Sequence, residues 1–160
     1  MTLSKKRKIY ITLSFIVVVI VCVIIFMLSA QNGTKSTETS NAILLFLQKI
    51  SFNIFTPEAI RTTAHFCEYG LLSFLVTNLY WSVKGKINLI FAILTSWGYA
   101  WLDEIHQYFV PGRAFQLYDL TIDLTGIFLG TLTFWFLYLF IKKYRKDKII
   151  KMSVERKSAK

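Results

Sequence analysis

The stretch IYITLSFIVVVIVCVIIFMLS, Ile9–Ser29, decides the class of this chain because 21 consecutive residues carry no charge. A helix of about 20 apolar residues crosses the ~30 Å hydrocarbon core of a bilayer. Lys5–Lys8 in front of it resemble the start of a signal peptide, but the apolar run is too long for one. Leu28 also stands where a cleavage site needs a small residue. We therefore expect a retained anchor and an integral membrane protein.

Hydropathy predicts three further spans and an all-α membrane protein. The four spans are 9–29, 62–83, 86–105 and 119–141, which predict a bundle of four transmembrane helices. After the first span comes a Ser/Thr-rich stretch, Thr34–Ser40, that we expect to be flexible. Ala42–Phe55 is apolar again but too short to span, so it predicts an extra interfacial or re-entrant helix.

The net charge of +10 is concentrated in segments that alternate with the predicted spans. The N-terminal tail, the loop at Lys84 and Lys86, and the tail from Lys142 are basic, and the rest of the chain is acidic overall. The positive-inside rule then predicts a multi-pass protein of the cell membrane with both termini in the cytoplasm. It has a basic tail at 1–8, a four-span membrane domain at 9–141 and a second basic tail at 142–160. We expect these tails to contact anionic lipid, and we expect no nucleic-acid partner.

Three polar clusters interrupt the apolar spans, and this topology brings all three to the outer membrane surface. They are Arg61, His65 and Glu68 on the second span; Asp103, Glu104, His106 and Gln107 on the third, with Arg113 in the turn that follows; and Asp119 and Asp123 on the fourth. A spacing of three or four residues puts side chains on one helix face. Charge in a span is costly, so we expect the clusters to form one shared pocket in the outer leaflet.

Two pairs of acids in these clusters need explanation. Asp103 and Glu104 lie about 100° apart around a helix, so we expect one of them to be a surface or loop contact. Asp119 and Asp123 repel each other unless they are protonated, paired with arginine or bridged by a cation, and Asp119 could alternatively cap its helix. Their stripe continues into the motif Gly126-x-x-x-Gly130, which predicts close contact with a neighbouring helix.

The side chains of the pocket suit two kinds of chemistry. Arginine binds two oxygen atoms of a phosphate with its planar fork, so Arg61 and Arg113 favour the head group of a phospholipid or polyprenyl phosphate. Glu68, Asp103 and His106 are the candidate acid–base residues. Histidines beside carboxylates also suit a divalent cation, but the chain has no His-Glu-x-x-His motif. The sequence therefore predicts neither a metal site nor a cofactor.

The ordered motifs resemble those of the VanZ-like family of bacterial membrane proteins. They are Ser29-x-Gln31, Arg61-x-x-x-His65-Phe66-x-Glu68-Tyr69, Asp103-Glu104-x-His106-Gln107-x-Phe109-x-Pro111-Gly112-Arg113 and Asp119-x-x-x-Asp123-x-x-Gly126-x-x-x-Gly130. The resemblance adds Gln31 to the candidate binding residues, which are Arg61, His65, Glu104, Gln107, Arg113, Asp119 and Asp123. The family commonly has asparagine at the position of Asp123, which implies a neutral hydrogen-bonding role there.

The founding member of that family is associated with teicoplanin resistance, so the resemblance implies a role in the cell envelope. Three functions stay open. The first is an envelope factor that binds a membrane lipid or lipid-linked envelope precursor and thereby affects glycopeptide susceptibility. The second is a membrane-embedded enzyme that acts on such a lipid. The third is a structural or interaction protein whose polar stripes only hold helices together. The sequence does not indicate an oligomeric state.

Overall fold

The computed structural model describes residues 4–49 and 56–158, and these ranges are helical, without a β-strand. The helices are α1 (Lys5–Ser29), α2 (Gly33–Lys49), α3 (Pro57–Lys84), α4 (Leu89–Tyr108) and α5 (Leu117–Ser158). The prediction of an all-α protein is therefore confirmed. Within the described ranges, α1 and the part of α5 up to Ser153 are long and apolar enough to cross a membrane, which supports a membrane protein.

Local sequence explains where the long helices begin and end. The Thr56 side chain accepts a hydrogen bond from the Ala59 N–H, and Pro57 occupies the first turn of α3. Gly85 ends the same helix at φ 71°, a conformation that favours glycine. α5 does not stop at residue 141, where the predicted span ends, but continues through the basic tail to Ser158.

The start of α2 differs from the prediction. Thr34–Ser40 was expected to be flexible, but it is helical, and the extra helix begins at Gly33 instead of Ala42. The Asn32 side chain accepts the Lys35 N–H at 2.9 Å and so caps the helix. The Gly33 N–H donates to the Pro111 carbonyl at 3.1 Å, which fixes this end of the helix to the loop before α5. Residues 50–55 of the predicted interfacial helix lie outside the described residues.

The helices α1, α3, α4 and α5 alternate in direction, which brings the polar clusters to one end of the bundle. At the opposite end, the Arg7 side chain at the start of α1 donates to the carbonyls of Ser82 and Val83 at the end of α3. At the polar end, Ser29 at the end of α1 donates to Asp103 near the end of α4. The N-termini of α3 and α5 lie at this same end.

α3 and α5 run parallel and touch through their backbones. A Cβ atom at Gly126 would overlap the Phe66 carbonyl oxygen, and one at Gly130 would overlap the Gly70 carbonyl oxygen. The Ser73 hydroxyl donates to the Ile127 carbonyl at 2.8 Å across this contact. The close approach predicted from the Gly-x-x-x-Gly motif is therefore confirmed.

Candidate functional site

Two polar pairs join α3 to α5, one helical turn apart. Arg61 Nη2 lies 2.9 Å from Asp119 Oδ2, and His65 Nδ1 lies 3.2 Å from Asp123 Oδ1. Asp123 is fully buried, and His65 and Asp119 are each 5% exposed. Each aspartate therefore has its own partner on α3, and the two do not share one. The pairing with arginine that we considered for these acids is confirmed for Asp119.

A second polar group joins α4 to the end of α1. Asp103 Oδ2 accepts the Ser29 hydroxyl at 2.8 Å and the Gln107 side-chain N–H at 3.1 Å. All three side chains are buried. Ser29 was not among the predicted site residues, although the motif Ser29-x-Gln31 contained it.

Glu104 is fully buried on a different side of α4 from Asp103. Its Oε2 atom accepts the Gln116 N–H at 2.9 Å, so the loop contact expected for one of the two acids is confirmed. The alternative of a surface position is wrong for both. Residues about 100° apart on α4 can both be buried because neighbouring helices cover more than one face of α4. Nothing in the sequence marked Gln116, since its contribution is a backbone amide.

Arg113 connects three segments at the polar end. Its Nε donates to the Gln31 carbonyl at 3.1 Å, and its Nη1 donates to Gln107 Oε1 at 2.8 Å. Its Nη2 donates to Ser36 Oγ at 2.9 Å and, more weakly, to the Leu28 carbonyl at 3.4 Å. Burial lowers the pKa of this guanidinium. The side chain is therefore largely occupied by neutral acceptors and fastens α2 and α4 to the end of α1.

Two cavities that share walls open between α2, α3 and the loop before α5. The larger, about 560 Å³, is lined by Arg61 and Arg113 together with hydroxyl groups of α2, among them Ser36 and Ser40. The carboxylate of Glu58 in the first turn of α3 also lines it. The sequence analysis missed these hydroxyls because it interpreted the Ser/Thr-rich stretch as a flexible loop. Helical spacing of hydroxyl residues was the pattern that could have identified them.

The smaller cavity, about 150 Å³, gathers several of the predicted site residues. Its lining includes Gln31, Arg61, His65, Glu68 and Arg113. The remaining predicted binding residues are buried and make the contacts described above; they are Glu104, Gln107, Asp119 and Asp123. The structure thus brings nearly all candidate binding residues to one end of the bundle.

The three candidate acid–base residues have different surroundings. Glu68 is partly buried and lines the smaller cavity. Asp103 is held through Oδ2 by two neutral donors, and its buried Oδ1 has no hydrogen-bond partner among the described residues. The His106 ring stacks on Phe26 of α1 with 4.4 Å between ring centroids, and its buried Nε2 has no hydrogen-bond partner within the described ranges. His106 is not part of the lining of either cavity.

One group of side chains in the described residues has the composition of a metal site. His65, Glu104 and Asp123 each offer a donor atom, and these three atoms lie within 4.8 Å of one another. The donors come from α3, α4 and α5, so no short motif in the sequence could mark them. Two carboxylate oxygens here, Glu104 Oε1 and Asp123 Oδ2, are buried and make no hydrogen bond to the described residues.

Comparison with known proteins identifies the family of this chain. A search of curated proteins and a search of solved structures each return no match. A family model described as VanZ/LLP1 matches residues 14–140, a range that includes all three polar clusters. The match confirms the resemblance drawn from the motifs. The chain belongs to the VanZ/LLP1 family.

Proposed function

We propose that α1, α3, α4 and α5 each cross the membrane, with both termini in the cytoplasm and the polar end at the outer leaflet. The alternating helix directions and the basic segments at the opposite end support this arrangement. Lys35→Cys and Lys86→Cys, made after replacement of Cys22 and Cys67, test it in intact cells. We expect an impermeant thiol reagent to label position 35 alone, and labelling of position 86 would contradict the topology.

At that outer surface the protein binds the phosphate-bearing head group of a lipid or lipid-linked envelope precursor. The observation that carries this proposal is the convergence of Arg61 and Arg113 with α2 hydroxyl groups on one cavity. Guanidinium groups and hydroxyls are hydrogen-bond donors that suit phosphate oxygens. Arg113 is already held by neutral acceptors, whereas the Arg61 side chain is 32% exposed and, within the described residues, is hydrogen-bonded through Nη2 alone. Arg61 is therefore the principal cationic contact.

Lipid retained by the purified protein tests this binding. The double variant Arg61→Gln/Asp119→Asn removes the cation and its partner together, so no buried charge is left unpaired. We expect wild-type protein to retain a phosphorylated lipid and the double variant at least about tenfold less of it. Lys35→Gln is the matched control, because Lys35 is exposed on α2 and is not part of either cavity lining. Equal lipid content in wild type and double variant would overturn the proposal.

Binding of an envelope lipid would connect the site to the glycopeptide phenotype of the family. The test is expression in a susceptible Gram-positive host, with teicoplanin and vancomycin sensitivity measured for wild type and for Arg61→Gln/Asp119→Asn at matched protein levels. We expect wild type to change teicoplanin sensitivity and the double variant not to. Identical sensitivity of the wild-type and empty-vector strains would refute this step alone.

An enzyme that acts on the same lipid is the second candidate, and one contact favours it. His65 is hydrogen-bonded to buried Asp123 and borders the smaller cavity together with Glu68. A carboxylate that orients a histidine is a common arrangement for proton transfer. Lipid analysis of overexpressing cells separates the two functions, since an enzyme yields a new lipid product that disappears in Glu68→Gln. A binding protein leaves the lipid composition free of new species.

A further inference from the structure

The strongest feature outside the lipid cavity is the buried group formed by His65, Glu104 and Asp123. Both carboxylates are fully buried, and His65 is 5% exposed. Glu104 Oε2 is held by the Gln116 amide and Asp123 Oδ1 by the His65 ring. The second oxygen of each carboxylate has no hydrogen-bond partner in the described part of the chain. One donor atom from each of the three residues lies within 4.8 Å of the other two.

A buried ionised carboxylate with an unpartnered oxygen is unfavourable, so two of them beside a single histidine are either protonated or compensated by a positive charge. The arginines at this end do not supply it. Arg61 forms its ion pair with Asp119, and Arg113 donates to carbonyl, amide and hydroxyl oxygens. Within the described residues no lysine or arginine forms an ion pair with Glu104 or Asp123.

We propose that His65, Glu104 and Asp123 bind a divalent first-row transition-metal cation, with Zn²⁺ as the representative ion. Bonds of about 2.0–2.2 Å place the donors of a tetrahedral ion about 3.4 Å apart, so donor atoms within 4.8 Å of one another close around an ion with side-chain shifts of up to about 1 Å. One imidazole and two carboxylates favour Zn²⁺ or Mn²⁺ over Mg²⁺ and Ca²⁺, which prefer oxygen ligands alone. Two carboxylates neutralise the ion, which a low-dielectric site requires.

The neighbouring contacts fit the surroundings of a metal site. The Gln116 amide restrains one oxygen of Glu104 and leaves the other available as a ligand. Three protein ligands leave at least one coordination position open, and His65 borders the 150 Å³ cavity. The metal site is independent of the proposed lipid binding, because its ligands are none of the residues that would hold the phosphate. Either proposal can fail without the other.

Metal content of the full-length protein in detergent tests the inference. The tag-free protein is stripped with a chelator, incubated with Zn²⁺ alone or Mn²⁺ alone, desalted and measured by inductively coupled plasma mass spectrometry. We expect about one ion per chain for wild type and at least about tenfold weaker binding for Glu104→Gln and Asp123→Asn. Glu38→Gln, at an exposed carboxylate of α2 that belongs to neither cavity lining, is the control for adventitious sites and should bind as wild type does. Absence of binding in wild type, or unchanged binding in Glu104→Gln, would overturn the proposal.

Thermal stability provides a second measurement that a purely structural role would not reproduce. In metal-free protein, Glu104→Gln should unfold at a higher temperature than wild type, because a neutral amide replaces a buried carboxylate with an unpartnered oxygen. Added Zn²⁺ should raise the unfolding temperature of wild type and leave that of Glu104→Gln unchanged. An equal rise in the unfolding temperature of both proteins would show that Zn²⁺ binds elsewhere and would refute the proposed site.

Discussion

Replacement of Gly130 by alanine should push α3 and α5 apart and destabilise the protein. The added methyl group would overlap the Gly70 carbonyl oxygen and lie 2.7 Å from both the Gly70 carbonyl carbon and Ser73 Oγ. Ordinary contacts of a Cβ atom begin near 3.4 Å. Most of the obstruction is backbone, which a side-chain rotation cannot relieve, so the helices must separate by about 1 Å.

The expected loss of stability follows from three opposing terms. Overpacking of a close contact costs about 1–3 kcal/mol. Separation of the helices also weakens the hydrogen bond from Ser73 to the Ile127 carbonyl, worth about 1 kcal/mol. Alanine regains about 1 kcal/mol because it is a better helix former than glycine. The net result is a destabilisation of about 1–3 kcal/mol.

Thermal unfolding of the purified protein measures this loss, with Gly98→Ala as the matched control. A Cβ atom at Gly98 has nothing within 4 Å, so this substitution keeps only the gain in helix propensity. We expect Gly130→Ala to unfold several degrees below wild type and Gly98→Ala at or above it. Equal unfolding temperatures for the two variants would refute the backbone contact between α3 and α5.

Three further substitutions test individual side chains. Arg113→Lys should destabilise the protein by about 1–3 kcal/mol, because a lysine ammonium group cannot donate to several separated acceptors as the planar guanidinium does. Faster proteolysis within α2 would confirm this loss of stability, and protease resistance equal to that of wild type would contradict it. Arg61→Gln and Asp119→Asn should show a favourable coupling of about 1 kcal/mol in a double-mutant cycle of thermal stability, whereas additive effects would exclude a net contribution from the ion pair. His106→Phe should retain stability to within about 1 kcal/mol, since the ring stacks on Phe26. Loss of the glycopeptide effect in this variant at normal stability would instead assign His106 a chemical role.

The sequence predicted the helices and the polar end well because both depend on short-range patterns. Apolar runs and helix caps determine where long helices form, and spacings of three or four residues determine which side chains share a face. The same reasoning correctly anticipated the contact at Gly126 and Gly130. It was wrong for the start of α2, because the high content of Ser and Thr in Thr34–Ser40 favoured a loop. The cap at Asn32 stabilises a helix there instead, and within it the Thr37 hydroxyl donates back to the Gly33 carbonyl.

The partners of the polar side chains could not be predicted from spacing. A helical stripe fixes which residues point the same way, but it does not fix which neighbouring helix they meet. Asp103 and Glu104 illustrate the difference, because rotation of α4 in the bundle directs one to Ser29 of α1 and the other to the amide before α5. The role of Arg113 depends equally on tertiary structure, since two of its acceptors are backbone carbonyls of a distant segment.

The distribution of charge changes what the polar end can bind. Counted along the sequence, five acids and two arginines form one acidic pocket that would repel a phosphate. In the structure the negative charge is divided: Asp119 pairs with Arg61, Asp103 is bonded to Ser29 and Gln107, and Glu104 and Asp123 form a buried group with His65. Glu68 lines the smaller cavity. The larger cavity is bordered by Arg61 and Arg113 and, among its described lining residues, by one carboxylate, that of Glu58. An anionic head group in the larger cavity and a cation among the buried carboxylates are therefore compatible, because arginines outnumber carboxylates around the first and the second would lie beside two carboxylates.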